Sequence, residues 1–210
     1  MELKDRILQE ASTLFFNSGV KSVTMSDIAE SLGISKRTLY EVFRDKDELL
    51  ETCVNVHISR ADCEIDAMTH SSENVIDTLM RIYAHHLREV RDVQKSVLRD
   101  LKKYYPQIYT KIADRQKEGL AVFMPLLKKG TDEGLIREDI NFEILFWLVK
   151  AQFKALMDDE FIPTDKYPTD EFIRAIILNF IRGIATPAGH EKIDAIMADL
   201  GVSKNNKQIK

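Results

Sequence analysis

Apolar residues recur every three or four positions along most of the chain, which is the spacing of amphipathic helices rather than of strands. Near the amino terminus this spacing predicts a helix that ends at Gly19 and two short helices separated by Gly33. Each short helix follows a residue that caps helices well, Thr24 in one case and Ser35 in the other. Another cap at Asp45 begins a longer helix. The pattern therefore predicts a cluster of three short helices followed by long ones.

Composition supports an all-α protein. The 210 residues include 8 glycines and 5 prolines, and 44% of them are hydrophobic, so the chain can bury a core. No apolar leader and no apolar run of bilayer length is present, so we expect a cytoplasmic protein with no membrane association. Cys53 and Cys63 lie in one predicted helix with an angular offset that prevents their pairing, and a redox role for them stays open.

The net charge of −4 argues against general nucleic-acid binding, but the charge is unevenly distributed. Residues 36–46 hold four basic and two acidic residues. This segment includes the third predicted helix, whose Leu39 and Phe43 point inward and leave Lys36, Arg37 and Tyr40 outside. Basic and hydroxyl side chains on one exposed helix face suit base edges and phosphates in a major groove.

The second and third helices, with a Gly-Ile-Ser turn between them, have the spacing of a helix-turn-helix motif. Ala29 permits a close helix crossing, and Gly33 permits the turn. A helical hairpin with a solvated charged face is the alternative for a short basic helix. The coincidence of caps, glycine turn, small crossing residue and polar stripe favours DNA binding.

The run from Val23 to Leu50, together with the preceding Ile7-Leu-x-x-Ala11 and Leu14-Phe-x-x-x-Gly19, resembles the amino-terminal domain of TetR-family transcriptional regulators. The resemblance implies a helix-turn-helix DNA-binding domain at residues 1–47 and a helical ligand-binding and dimerisation domain at residues 48–210. It also implies a homodimer on a palindromic double-stranded DNA operator, usually a repressor that a small ligand releases.

By position, the resemblance implies that Lys36 and Arg37 face bases. The residues that would contact or approach phosphates are Thr24, Ser26, Ser35, Thr38, Tyr40 and Lys46. One departure stands at Val42, where many members of the family carry histidine, so one polar contact with DNA would be missing.

The carboxy-terminal helices have more apolar surface than one chain needs to cover. Residues 142–157 leave few polar positions, and residues 169–184 have a broad apolar sector. A two-fold four-helix bundle would cover both, whereas two core helices of a monomer are the alternative. The residues expected at a dimer interface are Phe146, Phe153, Phe172, Ile173, Ile176, Ile177, Phe180 and Ile184.

A ligand pocket between the middle helices would take a small apolar or aromatic effector. The large residues that are candidates for its lining are Tyr83, His86, Tyr104, Tyr105, Phe123, Met124, Trp147 and Phe153, although each of them alone suits an ordinary core position. Adjacent His85 and His86 diverge on a helix, so no metal site is indicated. No catalytic or cofactor-binding signature appears, so neither an enzyme nor a cofactor is expected.

Two functions follow from these patterns. The first is a ligand-responsive, DNA-binding transcriptional regulator, most simply a homodimeric repressor. The second is an all-helical protein-interaction or small-molecule-binding module whose helix-turn-helix does not bind DNA. The acidic total charge and Val42 lend the second some support.

Overall fold

The computed structural model describes residues 2–92, 95–156 and 168–199, and most of these residues are helical. The helices are α1 (Leu3–Ser18), α2 (Met25–Ser31), α3 (Lys36–Val42), α4 (Lys46–Ser71), α5 (Val75–Asp92), α6 (Lys95–Tyr104), α7 (Pro106–Asp132), α8 (Phe142–Leu156), α9 (Thr169–Ile184) and α10 (Pro187–Asp199). The predicted all-α fold class is confirmed.

Helix boundaries follow the local sequence closely where a capping residue is present. Helix α3 spans the predicted residues because the Ser35 hydroxyl accepts the Thr38 N–H at 3.0 Å. Helix α10 begins earlier than the apolar pattern predicts, at Pro187 rather than Glu191. The cause is Thr186, whose hydroxyl accepts the Gly189 N–H at 3.1 Å, with proline in the first helical position.

The chain divides into two compact units, the first made of Met1–Ala67 and Arg88–Lys117. Its core is formed by fully buried side chains of α1 to α4, among them Phe15, Leu39 and Leu49, joined by Leu101 of α6 and Ile108 of α7. The first unit therefore includes more than the three short helices and the start of α4. The predicted boundary between residues 47 and 48 refers to the DNA-binding segment, and it stays a prediction.

The second unit consists of Met68–Leu87 and Glu118–Lys210. Within it, the segment after α7 pairs with the end of α9. The Leu135 carbonyl accepts the Thr186 N–H at 3.0 Å, and the Ile184 carbonyl accepts the Arg137 N–H at 2.9 Å. Gly134, with φ +69°, makes the turn that leads into this pairing.

Candidate nucleic-acid interface

The turn between α2 and α3 is closed by two hydrogen bonds back to the end of α2. The Glu30 carbonyl accepts the Gly33 N–H and the Ala29 carbonyl accepts the Ile34 N–H, both at 3.0 Å. Gly33 has φ +65°, a left-handed conformation in which a side chain would be strained. The predicted turn glycine therefore has the conformation that its role requires.

Helix α2 begins with a complete capping box, as its sequence predicts. The Thr24 hydroxyl accepts the Asp27 N–H at 3.2 Å, and the Asp27 carboxylate accepts the Thr24 N–H at 2.8 Å. The N–H that Thr24 donates to the carboxylate is the main cause that lowers the pKa of Asp27. The first turn of α2 is thus held by side chains that leave Thr24 and Ser26 exposed to solvent.

Helix α3 separates a buried face from a polar one. Leu39 is fully buried and Phe43, which follows the helix, is 2% exposed. On the other side Lys36 and Arg37 are exposed, and Tyr40 is 44% exposed despite its aromatic ring. This face is short, basic at its amino-terminal end and free of large aliphatic side chains, which suits a helix that contacts DNA.

Arg37 is not an isolated charge on this face. Its Nε donates to the Glu41 carboxylate at 3.1 Å, one turn along the same exposed surface. A guanidinium has five N–H donors, so this ion pair leaves donors for a guanine edge. The exposed pair adds little stability, and Glu41 instead lowers the positive potential of the face. A count of charges along the sequence includes Glu41 as one negative charge but does not show that it pairs with Arg37.

Lys46 has a different setting from the one its sequence suggests. Its Nζ donates to the Val20 carbonyl at 2.6 Å and lies 5.8 Å from the centroid of the Phe15 ring. Burial lowers the pKa of Lys46, and the nearby Asp100 opposes that shift. Lys46 therefore connects the start of α4 to the link between α1 and α2, and its remaining donors can still meet a phosphate.

Two of the other predicted phosphate contacts, Thr24 and Ser35, are helix caps. Ser35 caps α3, and its Oγ lies 2.8 Å from the Thr38 Oγ1. Val42 is half-buried and packs against the core, so this side chain contributes apolar packing. The structure places all the predicted DNA contacts in the first unit, at the ends and outer faces of α2, α3 and α4.

The predicted pocket residues fall in both units. Tyr83, Phe123, Met124 and Trp147 belong to the second unit and Tyr104 and Tyr105 to the first, whereas the side chains of His86 and Phe153 lie outside the described residues. Within the second unit the Phe123 ring centroid lies 5.7 Å from that of Phe180 and 6.4 Å from that of Phe146. The pocket stays a prediction.

The residues predicted at the dimer interface differ in how deeply they are buried. Ile173 is 0% and Ile184 2% exposed, so these two belong to the core and have no surface for a partner to cover. Phe146 and Ile177 are also buried, Phe172, Ile176 and Phe180 are half-buried, and the Phe153 side chain lies outside the described residues. Apolar exposure occurs elsewhere on α8, at Ile144 (59%), Trp147 (50%) and Leu148 (54%). Their three- and four-residue spacing is visible in the sequence and would have placed them together on one face of α8.

Comparison with known proteins agrees with the helix-turn-helix geometry. A model of the "Bacterial regulatory proteins, tetR family" matches residues 7–53, which include α1 to α3 and the start of α4. Residues 7–53 are therefore similar to the DNA-binding domain of TetR-family transcriptional regulators. The family match, which includes the helix-turn-helix segment, disfavours the alternative of a helical module that does not bind DNA.

Relatives match well beyond the amino-terminal segment of the chain. The HTH-type transcriptional regulator YvaF of Bacillus subtilis is 28% identical over 85% of this chain and 94% of its own length. The HTH-type transcriptional repressor KstR2 of Mycolicibacterium smegmatis is 25% identical over 70% of this chain and 74% of its own. A transcriptional regulator structure from Saccharomonospora viridis, in complex with choline, covers 87% of this chain and 97% of its own, with 21% identity and a TM-score of 0.68. That structure supports the fold.

Two further features concern residues 2–92, 95–156 and 168–199. No helix there is long and apolar enough to cross a membrane. In the same ranges no group of three or more histidine, cysteine, aspartate or glutamate side chains is placed to hold a metal ion.

Proposed function

We propose that the protein is a homodimeric repressor that binds a palindromic operator through α3 and is released from it by a small apolar or aromatic molecule. The observation that carries the proposal is the outer face of α3, where Lys36, Arg37 and Tyr40 are exposed above the buried Leu39. The repressor KstR2 is among the relatives, which supports repression rather than activation. Such a protein acts where the chromosome lies, in the cytoplasm.

In this proposal the residues divide by role. Lys36 and Arg37 contact base edges, because long cationic donors at the start of a groove-bound helix reach guanine O6 and N7. The residues that contact phosphates are Thr24, Ser26, Ser35, Thr38, Tyr40 and Lys46. A hydroxyl that accepts a capping hydrogen bond still has its own O–H to donate, so a cap and a phosphate contact are compatible.

The DNA proposal is tested by enriching bound fragments from genomic DNA and measuring their affinity by fluorescence anisotropy. Arg37→Ala is expected to weaken the selected operator by about 1–3 kcal/mol and to relax base preference at one position. The matched control is Arg60→Ala on α4, because Arg60 also pairs with a glutamate four residues along the helix and is similarly exposed. Arg60→Ala should leave base preference unchanged. No preference of the wild-type protein for any sequence over random DNA would contradict the proposal.

Dimerisation is proposed to use the exposed apolar residues of α8. Ile144, Trp147 and Leu148 would otherwise leave a continuous apolar stripe in water. Leu148→Glu tests this surface better than a charge at Ile177, which is only 9% exposed and would disturb folding. Sedimentation should show a dimer for the wild type and monomers for Leu148→Glu. The control Ala195→Glu places the same charge on an exposed site of α10 and should remain dimeric.

The effector proposal requires that the small molecule bind the form that cannot occupy DNA more tightly than the form that can. A molecule with equal affinity for both forms would release nothing. The aromatic contacts among Phe123, Phe146 and Phe180 in the second unit support an apolar or aromatic effector. Thermal-shift screening with such compounds, followed by anisotropy at saturating compound, should identify one that both raises the melting temperature and dissociates operator.

A further inference from the structure

Two lysine side chains from different elements converge on one exposed tyrosine of the first unit. Lys21 lies in the link between α1 and α2, and its Nζ is 5.2 Å from the centroid of the Tyr104 ring. Lys103 is the neighbour of Tyr104 at the end of α6, and its Nζ is 5.3 Å from the same centroid. Tyr104 is 41% exposed, so all three groups face water at one place.

The phenol oxygen is the shared acceptor in this group. Hydrogen bonds from Lys21 and Lys103 lower the pKa of the Tyr104 phenol. The surrounding segment is basic, since residues 95–105 contain four basic residues and one acidic residue. That acidic residue, Asp100, accepts the backbone N–H of Lys21 at 2.7 Å. The carboxylate thus holds the link in place through the backbone of Lys21, and the two ammonium groups both lie beside the Tyr104 ring.

This group is continuous with the proposed DNA-binding residues. Lys21 precedes Thr24, the capping residue of α2, by three positions. Val20 directly precedes Lys21, and its carbonyl accepts the hydrogen bond from Lys46. One short link therefore connects the cap of α2, the first residue of α4 and the basic end of α6.

We propose that Lys21, Lys103 and Tyr104 form an additional phosphate-binding site for the backbone of operator DNA. The inference rests on the proposed DNA-binding function and extends its contact surface to α6. A phosphodiester oxygen is anionic, so it accepts stronger, charge-assisted hydrogen bonds from both ammonium groups than the phenol does. When the phosphate takes over the lysine donors, the Tyr104 O–H can itself donate to it.

A purely structural explanation covers only part of this arrangement. Lysines in the last turn of a helix interact favourably with the helix dipole, which would explain Lys102 and Lys103 at the end of α6. It does not explain why Lys21, from another element, directs its ammonium to the same phenol. Two ammonium groups beside one exposed phenol provide the positive charge that an anion-binding site needs.

The test measures the slope of log affinity against log salt concentration, on the selected operator and on a random-sequence duplex. Each lysine–phosphate contact contributes about 0.9 to this slope, so Lys103→Ala should lower its magnitude by about one per protomer on both duplexes. Lys103→Arg should restore it. Tyr104→Phe keeps the ring but removes the phenol oxygen, and it should weaken binding roughly five-fold. The control Lys128→Ala removes an exposed lysine of the second unit and should retain the wild-type slope.

Ethylation interference supplies the positional readout. For the wild-type protein, ethylation of one phosphate in each half-site should block binding. For Lys103→Ala, ethylation of the same phosphate should no longer reduce binding. A wild-type slope and interference pattern for Lys103→Ala would overturn the inference. Loss of affinity with lower thermal stability and an unchanged slope would also overturn it, because packing alone would then explain the group. A reduced slope on random DNA without any preferred operator would support the phosphate site and contradict the proposed sequence recognition instead.

Discussion

Helices α3 and α8 present opposite kinds of surface to water. Helix α3 buries Leu39 and exposes lysine, arginine and tyrosine, whereas α8 buries Phe146 and leaves Trp147 and Leu148 about half exposed. A polar outer face suits a polyanion that can leave, because its side chains remain hydrated when the ligand is absent. An apolar outer face has a continuing cost in water, which a permanent protein partner removes. The difference between the two faces therefore fits the proposed operator on α3 and the proposed dimer partner on α8.

The helix-turn-helix and the second unit also differ in what holds their helix ends. The start of α2 and the start of α3 are each set by hydrogen bonds between residues three positions apart. In the second unit, the end of α9 is set by residues far along the chain, since the Ile184 carbonyl pairs with Arg137 and Thr186 pairs with Leu135. Local caps make the DNA-binding helices predictable, and long-range packing shapes the other region.

The largest expected effect compares a buried leucine of α3 with an exposed leucine of α8. Leu39→Ala should lower the free energy of unfolding by about 2–5 kcal/mol, because a fully buried side chain leaves a cavity. Leu148→Ala removes the same atoms from a site that is 54% exposed, and its unfolding free energy, corrected for dimer dissociation, should change far less. Chemical denaturation at several protein concentrations measures both. Equal losses would show that the two helices are not packed differently.

A smaller loss of stability is expected from a substitution at a closely packed position of the second unit. In Gly189→Ala the new Cβ would lie 2.3 Å from the Leu135 carbonyl oxygen, so the backbone must shift and stability should fall by about 1–3 kcal/mol. The matched variant Gly183→Ala meets nothing within 4 Å and lies in α9. Its stability should be unchanged or slightly higher, because alanine favours helix. Thermal unfolding of both variants distinguishes close packing from a general effect of alanine.

The smallest loss of stability is expected from removal of the cap at the start of α2. Thr24→Ala removes the acceptor of the Asp27 N–H and should cost about 1 kcal/mol of stability. Thr24→Ser keeps a hydroxyl and should retain most of it. Denaturation without DNA isolates the cap from any phosphate contact. A full loss in the serine variant would show that the threonine methyl group, rather than the cap, matters.

Prediction succeeded where the relevant interactions lie within a few residues of one another. Capping residues and the glycine turn specified α2 and α3, and the outward position of Arg37 followed from helical spacing. The sequence did not predict that Lys46, which stays a predicted phosphate contact, donates to Val20 across 26 positions. Prediction was weaker at Ile173 and Ile184, because an apolar sector on a helix does not say whether its neighbour is the same chain or a second one.

The sequence by itself determined the helical class, the helix-turn-helix and the family resemblance, because periodicity, caps and turn glycines act over a single turn of helix. Only the tertiary structure decided which apolar residues of α8 and α9 are buried in the chain and which remain exposed. It alone brought Lys21 and Lys103, 82 positions apart in the sequence, to the phenol of Tyr104. Such contacts depend on how separate helices pack, and no local pattern encodes that arrangement.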